Sequence, residues 1–251
     1  MADYVQADQP DGVPPLALTG ERTLPDVPEE NYWFRRHLAV YEWIAERVRG
    51  LAVVDMACGE GYGTAVLAHR AARVTGVDAN PEAYEHARTK YTAPGVRFFR
   101  DLVDHYVQPC DAVVFLQTIE HVADPASVLA HFKAMLGPGG SAFVSTPNLL
   151  TLAPEGAAKS DNPWHLKEYR AEDFRALCEE AFDHVEILGL FHARKLAVHE
   201  RALALGWDEV HRTLGVTKPF YDRFTPAIAA SDFALRPGPL DHALDFVAVL
   251  R

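Results

Sequence analysis

The stretch Val53-Val54-Asp55-Met56-Ala57-Cys58-Gly59-Glu60-Gly61-Tyr62-Gly63-Thr64 decides the fold of this chain. An apolar run ends at Met56, small residues follow, and a helical pattern comes next. Strands buried in a parallel sheet have this continuous apolar character, and glycines let the backbone approach a ligand closely. The start of the helix offers N–H groups and a positive end for a carboxylate. The stretch therefore predicts a strand–loop–helix unit with a ligand at the carboxyl end of a parallel sheet.

The same alternation continues along the chain. Runs that predict strands, at 52–56, 74–77, 96–99, 112–116 and 141–145, alternate with helical patterns at 61–71, 81–91 and 125–136. A helix over 29–49 precedes them, and a helix over 171–181 and strands over 185–190 and 245–250 follow. Short links between such elements favour right-handed βαβ units. We therefore predict an α/β, Rossmann-like fold with a mostly parallel sheet and helices on both faces.

The alternation stops at two places. Residues 1–28 are rich in Pro and Asp and predict a flexible tail, which leaves 29–251 as a single domain. Residues 196–240 look mainly helical and separate the last two predicted strands. We expect this helical insertion to serve as a lid over the active site, as a homodimer surface, or as both.

The composition restricts which partners the protein can bind and in which compartment it is found. The formal net charge is −11 and no Lys/Arg cluster occurs, whereas a nucleic-acid-binding protein normally carries a basic face. No run reaches the roughly 18 to 20 apolar residues that cross a bilayer, and the first residues do not resemble a secretory signal. Three cysteines without metal-ligand spacing favour a reducing compartment. We expect a cytoplasmic protein that acts on a small molecule or an oligosaccharide, without nucleic acid or membrane.

The spacing of the glycines distinguishes two nucleotide cofactors. A dinucleotide-binding loop has the pattern G-x-G-x-x-G, whereas this chain has A-x-G-x-G-x-G across Ala57, Gly59, Gly61 and Gly63. Asp78 ends the second predicted strand, where an acid can accept both ribose hydroxyls, and Asp101 follows the third. Each Asp alone could be a helix N-cap, and the loop alone an ordinary glycine-rich turn. Their succession at neighbouring strand ends favours a nucleotide cofactor.

Together these motifs resemble the class I S-adenosylmethionine-dependent methyltransferases, whose first motif is D/E-x-G-x-G-x-G. Ala57 stands where that motif has its first glycine. The segments Phe115–Val122 and Leu136–Gly140 resemble the family's fourth-strand motif and its turn before the fifth strand. The resemblance implies a seven-stranded sheet with the last strand antiparallel and S-adenosylmethionine as cofactor. It implies cofactor contacts from Asp55, Ala57, Gly59, Gly61, Tyr62, Asp78, Ala79, Asp101, Leu102 and Gln117, with the Asp101 carboxylate and the Leu102 N–H at the adenine.

Three further segments resemble a narrower group. Leu18–Thr23 (LTGERT), Glu30–His37 (ENYWFRRH) and Asn162–Glu168 (NPWHLKE) look like actinobacterial sugar O-methyltransferases that cap methylmannose polysaccharides. This resemblance implies methylation of a hydroxyl on a saccharide or a saccharide-containing metabolite. The alternatives are methylation of a non-sugar natural product, a cofactor-binding protein without catalysis, and an NAD-dependent oxidoreductase.

The candidate catalytic residues follow the fourth strand. His121 could take the proton of an acceptor hydroxyl, because an imidazole near its ordinary pKa is a suitable general base at neutral pH. Its alternative role is a helix-start histidine that bonds the backbone. Some relatives carry E-x-x-E-H here and hold a divalent ion with a later histidine. This chain has Gln117, Glu120 and His121, with His165 downstream. Glu120, His121 and His165 are therefore candidate ligands for an ion such as Mg²⁺, although Mg²⁺ prefers oxygen ligands.

Other candidates lie on the predicted N-terminal helix and in later loops. Arg36 and His37 could meet the carboxylate of the methyl donor, with a solvated helix face as the alternative. Aromatic rings could stack on a sugar, although such residues are more often core. The substrate candidates are Tyr32, Trp33, Trp164 and, after the sixth strand, His192.

Overall fold

An eight-stranded mixed sheet forms the centre of the computed structural model, which describes residues 6, 9–18, 22–25, 27–154, 156–157 and 159–251. The sheet order is β3-β2-β1-β4-β5-β8-β6-β7. Parallel pairing links β3, β2, β1, β4 and β5, whereas β8 runs antiparallel to both β5 and β6. The strands are β1 (Ala52–Met56), β2 (Arg73–Asp78), β3 (Val96–Arg100), β4 (Cys110–Leu116), β5 (Leu136–Pro147), β6 (Val185–His192), β7 (Phe233–Arg236) and β8 (Asp245–Leu250).

Helices cover both faces of the sheet, as the alternating sequence pattern predicts. They are α1 (Asn31–Ala45), α2 (Tyr62–Ala68), α3 (Pro81–Lys90), α4 (Pro125–Met135), α5 (Leu149–Leu152), α6 (Ala171–Glu179), α7 (Arg194–Ala204), α8 (Trp207–Thr213) and α9 (Thr217–Phe224). On one face, α4 and α6 pack against the sheet, and on the other α1, α2 and α7 do so. All five residues of β1 are buried, Asp55 included, which explains its mainly apolar sequence. Within the described residues, no helix has both the length and the apolar character to cross a bilayer.

The α/β fold is confirmed, but two details of the prediction are wrong. The sheet has eight strands rather than seven, because β7 pairs antiparallel with β6 at the sheet edge. The region 196–240 is therefore not wholly helical: α7, α8 and α9 are followed by this strand. A four-residue strand on an edge needs neither a long apolar run nor strict alternation, so little in the sequence distinguishes it.

Element ends also differ from the pattern. The predicted helix over 29–49 is α1 with a short 3-10 turn at Pro28–Glu30 before it. The predicted turn at 137–140 lies within the irregular start of β5, where the register with β4 shifts between Cys110 and Ala112. Such end effects are set by tertiary pairing more than by local propensity.

The described part of residues 1–28 packs against the domain, although composition predicts a flexible tail. Leu16, Leu24 and Val27 are buried together. The Gln6 side chain donates to the Pro25 carbonyl at 3.1 Å. The high Pro and Asp content predicts flexibility, but the apolar side chains between these residues are buried and hold the segment in place. Thr19, Gly20 and Glu21 of the predicted motif at 18–23 lie outside the described residues.

Candidate functional site

A cavity of about 470 Å³ lies at the carboxyl ends of β1, β2 and β4. This is the edge at which ligands bind in open parallel sheets. The predicted cofactor residues Ala57, Gly59, Tyr62, Asp78, Ala79 and Gln117 line it. The other lining residues are Arg22, Thr23, His37, Tyr41, Cys58, Glu60, Asn80, Leu116, Thr118, His121, Trp164 and Leu166.

The loop after β1 shows why small residues occur at these spacings. Ala57 and Gly59 both have φ of 55°, and Gly61 has φ of 96°, values in the region that favours glycine. A Cβ on Gly59 would meet no atom within 4 Å, so this position faces open space. A Cβ on Gly63 would lie 2.1 Å from the Tyr41 ring. Gly59 thus serves ligand approach, and Gly63 serves the packing of α2 against α1.

Asp78 lies beside this loop, at the end of β2. One of its carboxylate oxygens accepts from the Gly59 N–H at 2.7 Å, and the other from the Asn80 N–H at 2.9 Å. Asp101 is next to it along the sheet edge, because its N–H donates to the Asp78 carbonyl. The Asp101 side chain is 39% exposed and, like Leu102, lies outside the cavity wall. The predicted ribose and adenine positions are therefore adjacent, with the second on open surface.

Asp55 has a different place from the one predicted for it. Its side chain is fully buried and accepts hydrogen bonds from Tyr41 at 3.2 Å and from Thr64 at 2.7 Å. These two bonds connect β1 to α1 and α2. Burial raises the pKa of Asp55 to about 7, which the two hydrogen bonds partly offset. Asp55 supports the loop from below rather than lining the cavity.

Arg36 also lies away from the cavity, contrary to the prediction that it meets the donor carboxylate. Its guanidinium is buried and forms two bonds to the carboxylate of Asp245, at 2.5 and 2.7 Å. It also donates to the Leu244 carbonyl at 2.8 Å. A buried guanidinium requires such a partner, so this pair attaches α1 to the start of β8. The neighbouring His37 does line the cavity, and desolvation lowers its pKa to about 4.

The predicted catalytic residues are brought together from two distant segments. Each of Glu120, His121 and His165 offers a ligand atom, and these atoms lie within 4.8 Å of one another. The two imidazole rings meet edge to face with centroids 4.9 Å apart. His121 also lines the cofactor cavity. The cluster therefore lies where the cavity opens beyond β4.

Hydrogen bonds determine which nitrogen of each histidine carries the proton. Nδ1 of His121 lies 2.9 Å from the Trp164 carbonyl, which only accepts, so Nδ1 is protonated. Nδ1 of His165 lies 2.7 Å from the Glu168 carboxylate and donates to it, while its Nε2 accepts from Asn162 at 3.0 Å. In the neutral rings, Nε2 carries the lone pair in both histidines. Nε2 of His121 can thus act as a base or as a metal ligand. Nε2 of His165 can do so only after it releases the hydrogen bond from Asn162.

Glu120 is buried, as is His165, whereas His121 is partly exposed. Burial raises the pKa of Glu120 to about 8, against the hydrogen bond that it accepts from Thr146 at 3.1 Å. Its backbone carbonyl accepts from the N–H groups of Leu166 and Lys167. These bonds hold the loop that contains His165, Leu166 and Lys167 over the end of β4. Glu168 and Thr146 are two further residues of this cluster. The spacing of three residues between His165 and Glu168 is a signal for the first, whereas no sequence signal marks Thr146.

The predicted substrate residues divide between two places. Trp164 lines the cofactor cavity and is 50% exposed. Tyr32, Trp33 and His192 are not part of that cavity wall. The Tyr32 hydroxyl lies 2.8 Å from Nε2 of His192, and His192 lines a second cavity of about 310 Å³ with Glu200 and Arg236. Of the four, only Trp164 borders the cofactor cavity.

Comparison with known proteins agrees with this geometry. A family model described as "Methyltransferase domain" matches residues 30–199. A "Probable S-adenosylmethionine-dependent methyltransferase" of Mycolicibacterium smegmatis is 37% identical over 246 residues, covering 93% of this chain and 94% of that protein. The "Ubiquinone biosynthesis O-methyltransferase" of Xylella fastidiosa is 35% identical over 115 residues, which span 43% of this chain and 47% of that protein.

The fold has a counterpart among solved structures. One from Thermotoga maritima, described as "SAM-dependent methyltransferase, possible histamine N-methyltransferase", has a TM-score of 0.58 and 16% identity. The similarity covers 88% of this chain and 94% of that one. At this identity it shows the fold alone, whereas the family match and the mycobacterial relative extend over most of the sequence. The chain therefore belongs to the class I S-adenosylmethionine-dependent methyltransferases.

Proposed function

We propose that this methyltransferase transfers the methyl group to a hydroxyl oxygen of a saccharide or a saccharide-containing metabolite. The observation that carries the proposal is the cluster of Glu120, His121 and His165 at the opening of the cofactor cavity. An oxygen nucleophile with a high pKa must lose its proton during transfer, and this cluster can assist that loss. The alternative acceptor is a hydroxyl or another nucleophile on a non-sugar natural product.

The reaction is an in-line displacement at a sulfonium methyl group. The acceptor oxygen forms a bond to the methyl carbon, the carbon–sulfur bond breaks, and its electron pair remains on sulfur as S-adenosylhomocysteine forms. The hydroxyl proton passes to Nε2 of His121, which carries the lone pair in the neutral ring. The protein aligns the acceptor and excludes water, and a positioned base contributes about 10²- to 10⁴-fold.

The same residues fit a divalent cation. Two imidazole nitrogens and one carboxylate form a ligand set suited to several transition metals. Glu168 would orient His165 as carboxylates orient metal-binding histidines. When bound, the cation supplies Lewis acidity that lowers the pKa of a coordinated hydroxyl. Because nitrogen ligands suit Mg²⁺ poorly, we favour a transition metal over Mg²⁺ for this set.

One observation supports an oxygen acceptor, and a second supports a sugar. The relative that matches 115 residues is named as an O-methyltransferase. Trp164 presents a half-exposed indole at the cavity wall, next to His121. An indole at a rim can stack on the C–H face of a sugar while its other edge remains in water.

The test uses purified protein, S-adenosylmethionine labelled in its methyl group, and a panel of oligosaccharides and phenolic or amine acceptors. We expect label on a saccharide hydroxyl, located by mass spectrometry, and no label on amines. Exclusive labelling of a non-sugar acceptor would contradict the saccharide assignment. EDTA treatment followed by addition of Mn²⁺, Co²⁺, Zn²⁺ or Mg²⁺ distinguishes the two forms of activation. Full turnover in EDTA would mean that His121 acts as the base without a metal. Loss of turnover in EDTA and its restoration by one cation would support a metal site at Glu120, His121 and His165.

A further inference from the structure

The cavity has a shortage of positive charge at its loop end. S-Adenosylmethionine carries an α-carboxylate on its amino-acid portion, and two carboxylates of the protein, Glu60 and Asp78, already line the wall. Among the described residues of the wall, Arg22 is the one Arg or Lys. A carboxylate removed from water needs a cationic or N–H partner. The groups that could serve as this partner are the N–H groups of the loop, the side chains of Arg36 and His37, and the side chain of Arg22.

Three backbone N–H groups of the loop and of the start of α2, those of Gly59, Gly61 and Tyr62, are already engaged. The Tyr62 N–H, first in α2, donates to the Glu60 carboxylate at 3.0 Å. The Gly59 N–H donates to Asp78 and the Gly61 N–H to the Cys58 carbonyl. The start of α2 is therefore occupied by a carboxylate of the protein itself.

The two residues that sequence analysis put forward for this carboxylate do not supply a charge either. Arg36 is committed to Asp245. His37 lines the cavity, but desolvation lowers its pKa to about 4, so its ring is neutral at physiological pH. Arg22 remains as the group with a permanent positive charge on this wall.

The surroundings of Arg22 hold it at the wall. The hydroxyl of Thr23, the next residue, lies 3.1 Å from the Tyr62 hydroxyl and 3.3 Å from Nδ1 of His37. Leu24 follows and is fully buried. Through Thr23, the residue next to Arg22, the chain is bonded to α1 and to the start of α2.

Glu60 fastens the same segment from the other side. Its carboxylate accepts from the Gln6 side chain at 3.2 Å, and Nε2 of His86 lies 2.9 Å from it. Nδ1 of His86 lies 2.6 Å from the Pro14 carbonyl. Glu60 is thus bonded to Gln6 directly and to Pro14 through His86.

We propose that Arg22 binds the α-carboxylate of S-adenosylmethionine, and that Arg22 and Thr23 form one wall of the cofactor site. The two arms of the guanidinium match a carboxylate in a two-point pair. The inference concerns cofactor binding alone, so it does not depend on which acceptor the enzyme methylates.

The test compares two ligands on two variants by calorimetry. S-Adenosylhomocysteine carries the carboxylate, whereas 5′-methylthioadenosine retains the nucleoside and the sulfur but lacks the amino acid. Arg22→Gln is expected to weaken S-adenosylhomocysteine binding about 10- to 100-fold, as charged hydrogen bonds of about 1.5 to 3 kcal/mol imply. Its affinity for methylthioadenosine should stay within about twofold of the parent. Arg201→Gln, at an exposed position on α7, is the matched control and should change neither value.

Each other outcome overturns the proposal. Unchanged binding of S-adenosylhomocysteine to Arg22→Gln assigns the carboxylate to another group. Equal loss of both ligands indicates that the substitution disturbs the fold of the cavity. Hydrogen exchange gives a second measurement: S-adenosylhomocysteine should slow exchange over residues 22–25 of the parent, and methylthioadenosine should slow it less. Protection confined to residues 57–63 would remove this segment from the site.

Discussion

The cofactor half and the proposed acceptor half of this site are assembled in different ways. The cofactor half comes from one continuous strand–loop–helix unit, residues 52–68, together with Asp78 at the end of the adjacent strand. The acceptor half combines Glu120 and His121, in the turn after β4, with His165 in a loop beyond β5. Backbone conformation dominates the first half, and side-chain hydrogen bonding dominates the second.

Because of this difference, substitutions should affect the two halves through different properties. In the cofactor half, positive φ angles at residues 57, 59 and 61 shape the loop, so substitutions act through local geometry. In the acceptor half, His121 bonds the Trp164 carbonyl and His165 bonds Glu168. One lost side chain there removes a chemical group without moving the loop at 57–63. We therefore expect a substitution in one half to leave the function of the other half nearly unchanged.

The largest effect is expected in the acceptor half. His121→Ala should lower kcat about 10²- to 10⁴-fold, the contribution of a positioned base. Affinity for S-adenosylhomocysteine should stay within a few-fold, because the loop at 57–63 and Asp78 are untouched. Steady-state kinetics and calorimetry measure the two quantities, and His69→Ala, at an exposed position after α2, serves as the control. A matching loss of turnover and affinity would mean that the two halves are not separable at His121.

The second effect is a pH dependence of stability that originates beneath the cofactor loop. Burial raises the pKa of Asp55 from 3.8 to about 7, so the folded chain keeps a proton that the unfolded chain releases. The stability due to this group is complete below pH 3.8 and is lost as pH rises through about 7. Relative to Asp55→Asn, the parent should lose up to roughly 4 kcal/mol between pH 4 and 8, at about 1.4 kcal/mol per pKa unit.

Denaturant unfolding at a series of pH values measures this difference. Asp222→Asn, at an exposed position on α9, is the control and should follow the parent. Parallel curves for the parent and Asp55→Asn would show that Asp55 is ionised in the folded chain. The supporting role of Asp55, through Tyr41 and Thr64, would then need a different electrostatic account.

A smaller effect should distinguish two carboxylates within the cofactor half. Asp78 lines the cavity and Asp101 does not. We expect Asp78→Ala to weaken S-adenosylhomocysteine binding about 10- to 100-fold, the range for hydrogen bonds to a charged group. Asp101→Ala should weaken it less than about tenfold, since its carboxylate is more than a third exposed. Calorimetry on both variants decides, and a larger loss at Asp101 would place the main nucleoside contact on the open surface.

Sequence predicted much of the cofactor half because its signals are local. The strand, the small residues and the helix stand side by side in the chain, and Gly59, Tyr62 and Asp78 all line the cavity as expected. Glu120, His121 and His165 also come together, but that prediction came from family resemblance. Nothing in local periodicity says that residue 165 lies beside residue 121.

The residues that the sequence misplaced or missed are positioned by contacts between separate elements of the fold. Arg36 was expected at the cofactor, and its pairing with Asp245 depends on the position of β8 beside α1. Asp55 belongs to the recognised motif, but α1 and α2 enclose it. Arg22 reaches the cavity through contacts of Thr23 and Leu24, within a segment whose composition predicts a flexible tail. Contacts of this kind are a property of the tertiary fold.

The smallest expected effect concerns Ala57, at the position where the family motif has glycine. Ala57 has φ of 55°, and an L-residue with a Cβ loses roughly 1 to 2 kcal/mol in this region. Ala57→Gly removes that strain but increases the entropy of the unfolded chain by an amount worth about 0.4 to 1 kcal/mol. The net expectation is a gain of about 0.5 kcal/mol in the free energy of unfolding. Ala65→Gly, inside α2, should instead lose about 1 kcal/mol. A loss of similar size at both positions would show that the loop tolerates Ala57 without strain, and the conformation of the loop would then be maintained by its hydrogen bonds to Asp78 rather than by residue type.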